Sequence, residues 1–402
     1  MDSARTGART PRHTCANTTS DEVLPAGPLL RPFAGLRYAP AVAGPLTGLL
    51  APPHTELDKA SRAAFLASSP FVVTHLERPE YSEGTGPEVH RWLDRGVLTQ
   101  DPAGLYVVRQ HRDGRVQHYL LGALPVVPGD SRVHPHEGVF DQAVAARLQR
   151  LDETGVDSEP VLVVDSDPWP VPWTRPEDLG ALVSTARDST GAPLVEVFHL
   201  SDPEVVDRVV VASATHRFVI ADGHHRYAAV RRAARRSGHP EGLLVAVVDE
   251  TVEPVDLQAL HRVLPLTAAV AVVEQAPRTV DVVVDDHDDL QAVLAGLGAE
   301  QALVLLPGRA VVVDCPEPEG TTVGSGAWVD TVVRAGGTAA DSVRYQADTR
   351  AVWAAVGARA AVLLPRPTMR DLHRVVGRGL TLGRKTTSFR PKPLAGAVMR
   401  LR

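Results

Sequence analysis

The chain has 402 residues, 44% of them hydrophobic, which is enough to bury a large core and form two or three domain-sized units. Its net charge of −6 argues against general nucleic-acid binding, and aromatic residues at 4% are too sparse for platforms that stack single strands. The two cysteines, Cys15 and Cys315, have no CxxC partner, which excludes a disulfide framework and a zinc knuckle.

Residues 1–24 predict a disordered tail, because they mix Ser, Thr, Arg and Asp without an apolar stretch as long as a signal peptide requires. No window approaches the roughly 18 to 20 apolar residues of a membrane span. We therefore expect a cytoplasmic protein with no membrane partner.

The middle of the chain alternates predicted strands and helices. Helical spacing covers residues 58–66 and 87–95, and a hairpin is indicated for 105–109 and 118–122 around an Asp-Gly turn. Further strands are predicted at 160–165, 194–198 and 242–248, with a helix at 174–184. This alternation favours a mixed α/β (α+β) fold.

The composition changes after residue 267, so we divide the chain into a core at 25–267 and a C-terminal α/β part at 268–402. Apolar runs predict strands of a second sheet at 270–273, 280–284, 302–306 and 310–313. The acidic run 285–289 precedes a predicted helix, and we interpret it as a solvated helix cap rather than a metal site. We expect no metal site formed by the chain alone.

The most informative segment is 218–230, where an apolar strand runs through Asp222-Gly223 into a helix that opens with His224, His225 and Arg226. A helix start leaves N–H groups unpaired and carries partial positive charge, so an anion binds there readily. Asp222 is expected to cap the helix, and Gly223 to permit close approach of a ligand. The alternative is an ordinary Asp-Gly turn with solvated histidines.

His134, His136 and Glu137 form a second cluster of reactive residues. In an extended segment the two imidazoles face the same side, and Glu137 faces the other. Three roles remain open: contact with phosphate or Mg²⁺, general acid–base work by Glu137 if a turn brings it round, or a purely structural loop.

The C-terminal 52 residues contain eleven Arg or Lys and one acid, Asp371. Exposed arginines on a surface helix at 369–378 would explain part of this charge. Within the loop that follows, cations and hydroxyls could close over a bound anion, and we favour Lys385 and Lys392 for that role.

The segment Asp222-Gly-His-His-Arg-Tyr227 resembles the signature of domain-of-unknown-function family 1015, and the likeness runs almost from end to end. Other blocks that resemble the family lie at residues 31–37, 50–53, 69–70, 74–76, 134–137, 147–148, 260–262 and 385–392. This sequence departs from the family at His54-Thr55, where Tyr-Asp is usual, and at Ala145-Ala146, where an acidic context is usual.

The same signature is similar to the phosphate-binding box of the ParB/sulfiredoxin superfamily, which includes kinases of free serine. This resemblance implies a ParB-like nucleotide-binding core and a small-molecule kinase that transfers a phosphoryl group from ATP or ADP, with Mg²⁺, to a free amino acid such as L-serine. A nucleotide-binding switch or a nucleotide hydrolase is the alternative.

In the kinase picture, Gly223, His225, Arg226, His134, His136, Lys385 and Lys392 bind the nucleotide, while Glu137, Asp222 and His224 are catalytic. Lys385 would also screen charge that develops during transfer. The expected partner is a small hydroxylated metabolite and not a nucleic acid.

Overall fold

The computed structural model describes residues 27–77, 88–112, 114–318 and 320–402. The predicted disordered tail at 1–24 lies outside these residues. Over the described residues the chain has a mixed α/β fold, as the sequence predicts.

The strands in chain order are β1 Gly35–Tyr38, β2 Leu98–Gln100, β3 Leu105–Arg112, β4 Arg115–Val126, β5 Val133–Pro135, β6 Val156–Asp157, β7 Val161–Asp165, β8 Ala181–Arg187, β9 Pro193–Leu200, β10 Phe218–Asp222, β11 Glu241–Asp249, β12 Asp256–Ala259, β13 His261–Leu264, β14 Thr279–Val282, β15 Gln301–Leu306, β16 Arg309–Asp314, β17 Thr322–Val323, β18 Arg344–Gln346, β19 Ala360–Leu363, β20 Thr381–Leu382, β21 Thr387–Arg390 and β22 Met399–Leu401.

The helices are α1 Pro40–Ala43, α2 Lys59–Ser68, α3 Thr74–Glu77, α4 Glu88–Asp94, α5 Asp141–Thr154, α6 Pro203–Ala212, α7 His224–Ser237, α8 Leu266–Gln275, α9 His287–Gly296, α10 Ser325–Ala335, α11 Thr349–Ala355 and α12 Met369–Gly377. Within the described ranges, none of them is long and apolar enough to cross a membrane.

An eight-stranded sheet in the order β5-β10-β7-β11-β4-β3-β9-β8 carries the candidate site. The central strands β7 and β11 are apolar along nearly their whole length and are buried, because both faces of the sheet are covered. One face forms a hydrophobic core with the N-terminal segment and the C-terminal end of the chain, and the other packs against α5, α6 and α7. The sheet thereby fixes where β10 ends and α7 begins.

A second, six-stranded antiparallel sheet has the order β14-β16-β15-β19-β13-β18. Helices α8 and α10 pack on one of its faces, and α9 and α11 on the other. The last strands of the chain pair with strands that come before the second sheet: β21 pairs with β12, and β22 pairs with β1 and β6. The division at residue 267 stays a prediction.

Two predicted elements are wrong. The helix predicted at 174–184 is a short 3-10 turn, Pro176–Asp178, followed by strand β8. Gly180, with φ +81°, turns the chain between them, and β8 joins the sheet edge beside β9. The strand predicted at 270–273 lies inside helix α8. A four-residue apolar run fits a strand and a buried helix equally well, and here packing against the second sheet decides.

Candidate functional site

The signature forms a strand–turn–helix joint at the centre of the site. Strand β10 ends at Asp222, Gly223 adopts the left-handed region with φ +92°, and α7 begins at His224. A Cβ on Gly223 would lie 2.9 Å from Val161 Cγ2 and 3.1 Å from Nη2 of Arg226. Glycine is therefore required both for the backbone conformation and for the close packing.

The start of α7 is not capped by a side chain, which corrects the expectation that Asp222 caps the helix. Gly223 takes the N-cap position, and the Asp222 carboxylate turns to Lys392 Nζ at 2.5 Å. Among the described residues, the N–H groups of His224, His225 and Arg226 have no hydrogen-bond acceptor within the fold. These amides and the helix dipole leave an electropositive helix start beside a cavity.

The cavity has a volume of about 900 Å³. It is lined by the 3-10 turn at His54–Glu56, helix α5, the β10–α7 joint, the segment 345–347 and the segment 384–392, which we call the C-terminal loop. Its carboxylates are Glu56, Glu137 and Asp222. The described cations that line it are Arg147, Arg150, Arg226, Arg384, Lys385, Arg390 and Lys392. This excess of cations makes the cavity suitable for a polyanionic ligand.

The two signature histidines do not add positive charge. Burial, with His136 adding to it, holds the pKa of His224 well below its ordinary value. Burial also lowers the pKa of His225, with Lys385 and Arg147 acting in the same direction. His225 Nε2 accepts a hydrogen bond from the Phe140 amide at 3.1 Å, and His224 Nε2 is buried without a partner. Both rings are neutral at pH 7, so they offer hydrogen bonds rather than cations.

Arg226 was predicted to bind phosphate, but its guanidinium is held inside the protein. The residue is only 5% exposed. Nη2 donates to Glu159 Oε1 at 2.8 Å, and Nη1 donates to the backbone carbonyls of Glu159 and Pro160. Burial opposes ionisation of Glu159, yet Arg226 and His54 outweigh it and hold the pKa of that carboxyl far below its usual range. Arg226 therefore fixes α7 to the chain before β7.

Asp222 is charged and faces the cavity. Burial raises its pKa, but the nearby Lys392 and Arg226 have the larger combined effect and hold the pKa below the ordinary value. Its position directly before the open helix start lets it contact a bound molecule. The low pKa suits an orienting or metal-binding carboxylate better than a strong base.

Glu137 holds the C-terminal loop, a role that the sequence did not predict. Its carboxylate accepts the backbone N–H groups of Lys385, Thr386 and Thr387 at 3.2, 3.1 and 2.8 Å, and lies 2.6 Å from the Thr387 hydroxyl. Lys385 has φ +52°, an uncommon conformation outside glycine. The carboxylate thus fixes the backbone from which Lys385 faces the cavity.

His134 and His136, the two histidines of the cluster at 134–137, do not line the cavity. His136 is fully buried, with Nδ1 donating to Ile220 O at 2.5 Å and Nε2 lying 2.7 Å from the Thr387 hydroxyl. It links β10 to the loop held by Glu137. His134 pairs with Val219 in the sheet and is not a lining residue. The structural role left open for these histidines matches this geometry.

Sequence reasoning missed Arg147, which stands out in the cavity wall. Its Nη2 donates to His54 Nε2 at 2.6 Å, and His54 Nδ1 lies 3.2 Å from Glu159. The only hint in the sequence was the likeness of residues 147–148 to a block of the family. The partner His54 lies 93 residues away, which no spacing rule connects.

The acidic run at 285–289 behaves as a cap, since the Asp286 side chain accepts the amides of Asp288 and Asp289 at the start of α9. In the described ranges, the one group of side chains close enough together to hold a metal ion is Asp165, Asp167 and His216, outside this run. None of these three lines the cavity.

The fold and site define a mixed α/β protein with a cationic cavity at a strand–helix joint. The chain belongs to the family described as "Protein of unknown function (DUF1015)", whose model matches residues 30–323. No curated protein matches the chain.

Several solved structures are distantly similar. A free serine kinase mutant in complex with AMP has a TM-score of 0.43 and 13% identity, covering 71% of this chain and 91% of that one. A conserved hypothetical protein from Pyrococcus furiosus has a TM-score of 0.40 and 13% identity, covering 70% and 93%. SbnI with a C-terminal truncation, from Staphylococcus aureus, has a TM-score of 0.39 and 10% identity, covering 68% and 85%. These likenesses concern backbone shape alone.

Proposed function

We propose that the cavity binds a nucleotide and that the protein transfers a phosphoryl group from ATP or ADP to the hydroxyl of a small metabolite, with a free amino acid such as L-serine as the acceptor. One observation carries the proposal: the uncapped start of α7 opens into a cavity lined by six Arg or Lys side chains besides the buried Arg226. Backbone amides at a helix start together with cations are the groups that bind phosphates.

The proposed phosphate site consists of the first-turn amides of α7 with Lys385 and Lys392. Gly223 allows the phosphate to approach the backbone, and Glu137 holds Lys385 in place through the loop amides. Phosphoryl transfer requires mainly positioning and neutralisation of charge, which such a site supplies without a covalent intermediate.

The proposed role of Asp222 is to orient the acceptor hydroxyl, which donates a hydrogen bond to its carboxylate. Mg²⁺ is commonly bound by one or two carboxylates together with substrate phosphates, and Asp222 is the carboxylate best placed to serve as such a ligand; the ion would neutralise phosphate charge. Neutral His224, whose Nε2 is buried without a partner, offers a further hydrogen bond at the helix start.

A nucleotide panel by thermal shift tests the binding part of this proposal. A ligand at one hundred times its Kd adds about 2.7 kcal/mol to the free energy of unfolding. ATP, ADP or AMP should raise Tm, whereas the matching nucleosides, which lack phosphate, should not. Equal shifts with nucleosides would contradict a phosphate site.

A nucleotide-binding switch or hydrolase is the second candidate, and one observation favours it. Glu137, predicted as a catalytic carboxylate, already accepts four hydrogen bonds, and Asp222 is paired with Lys392. Nucleotide consumption that does not depend on an acceptor would favour this candidate over the kinase.

A further inference from the structure

His54, Arg147 and Arg150 line the cavity together, and we call them the Arg147 cluster. They come from the 3-10 turn at His54–Glu56 and from α5, whereas the proposed phosphate ligands come from α7 and the C-terminal loop. Chain segments distant in sequence thus supply two groups of cations to one cavity.

The geometry of His54 fixes the orientation of Arg147. Arg147 Nη2 lies 2.6 Å from His54 Nε2 and 3.1 Å from His54 Nδ1, so the guanidinium packs against the imidazole, and His54 Nδ1 also lies 3.2 Å from Glu159 Oε2. Burial lowers the pKa of His54, with Arg147 and Arg226 acting in the same direction against Glu159, which favours a neutral ring beside the guanidinium. His54 therefore contacts the guanidinium of Arg147 with both ring nitrogens.

The carboxyl groups that act on Arg147 are Glu159 and Glu77. Glu159 is already paired with Arg226 at 2.8 Å. Burial, with Glu159 adding to it, raises the pKa of the neighbouring Glu77 to about 8, so that carboxyl is mostly protonated at neutral pH. Among the described residues, neither Arg147 nor Arg150 has a carboxylate partner. Both arginines line the cavity, and they also line a smaller neighbouring cavity together with Glu77 and Glu159.

We propose that the Arg147 cluster is a second anion subsite, separate from the phosphate site, and that it binds the carboxylate of the acceptor. The inference rests on the proposed function and requires the acceptor to carry a free carboxylate beside its hydroxyl, as L-serine does. A planar guanidinium with a second arginine beside it matches the two oxygens of a carboxylate. A hydroxylated amine or polyol lacking this group would leave the cluster unpaired.

The test compares L-serine with L-serinamide, in which a neutral amide replaces the carboxylate, as acceptors for wild type and Arg147→Met, at a pH where both amines are protonated. In wild type we expect a lower KM for L-serine. Arg147→Met should raise the KM for L-serine by about 10- to 150-fold, the loss typical of a hydrogen bond to a charged group. The KM for L-serinamide and the Kd for nucleotide should stay unchanged.

Two further variants keep the test decisive. Arg147→Lys retains charge but loses the planar fork, so its KM for L-serine should exceed that of wild type while its KM for L-serinamide stays unchanged, and this comparison stands even if Arg147→Met folds poorly. Arg232→Met removes an exposed arginine of α7 that pairs with Asp141 at the start of α5, and it should change none of these values.

Failure of the subsite is distinguishable from failure of the proposed function. Acceptor-dependent turnover with equal KM values for L-serine and L-serinamide would overturn the carboxylate subsite and leave the kinase in place. Weaker nucleotide binding by Arg147→Met, with an unchanged ratio of the two KM values, would assign Arg147 to phosphate instead. If no nucleotide is consumed, the kinase fails, and calorimetric titration of L-serine decides: binding that Arg147→Met abolishes supports the subsite, and no binding overturns it.

Discussion

Arg226 belongs to the signature motif, but it is buried and paired with Glu159. We therefore expect its removal to lower the stability of the fold. Arg226→Ala leaves Glu159 charged in the interior without its arginine partner, so we expect it to lower the free energy of unfolding by about 3–5 kcal/mol. Urea denaturation measures this loss.

Arg236→Ala is the matched control, because Arg236 is exposed on the same helix α7 and its removal should change stability by no more than about 0.5 kcal/mol. If Arg226→Ala were as stable as wild type but bound nucleotide poorly, the guanidinium would belong to the ligand after all.

Glu77 makes stability depend on pH near neutrality. Its pKa is raised from 4.5 to about 8 by burial and by Glu159, so the folded state keeps a proton that the unfolded state releases. The stabilisation is present below pH 4.5 and is lost as pH rises towards 8, at up to about 1.4 kcal/mol per pH unit.

Glu77→Gln removes this ionisation while keeping the shape of the side chain. We expect the variant to show a flatter dependence of unfolding free energy on pH between about 5 and 8 than wild type, in urea titrations at several pH values. Parallel curves for the two proteins would show that Glu77 does not titrate in this range.

At the scale of elements, the loop after β20 depends on the carboxylate of Glu137. Glu137→Gln loses the negative charge that three loop amides share, so we expect nucleotide affinity and turnover to fall together. The affinity loss should be about 10- to 150-fold, as for a hydrogen bond to a charged group. Calorimetry and steady-state kinetics measure the two effects.

Glu153→Gln on the exposed side of α5 serves as the control and should behave as wild type. A different pattern, in which turnover falls by roughly 10²- to 10⁴-fold while affinity is preserved, would restore Glu137 to the predicted role of general base.

Turn and cap residues in the sequence correctly predicted the elements that begin or end at them. The β10–α7 joint and the β3–β4 hairpin appear where the Asp-Gly turns indicate them, and Asp58 caps α2 at the predicted start. The run inside α8 could not be assigned from its sequence, because four apolar residues lack a period that separates helix from strand. Packing against the second sheet determines that helix.

At the scale of the whole molecule, the candidate site could be predicted only in part. The signature and the basic loop were found because their residues are adjacent in sequence. The roles of Arg226, Glu137 and Arg147 were not, because their partners lie 67, about 250 and 93 residues away. Which cation contacts a ligand and which one stabilises the fold depends on these distant pairings.

The most direct test of the central claim is phosphorus NMR of the protein with Mg²⁺ and ATP or ADP, with and without pooled hydroxylated amino acids. We expect nucleotide to be consumed only when an acceptor is present, and a new phosphomonoester resonance to appear in equal amount. Nucleotide that stays intact with every acceptor, or that is hydrolysed at the same rate without one, would contradict the proposed phosphoryl transfer.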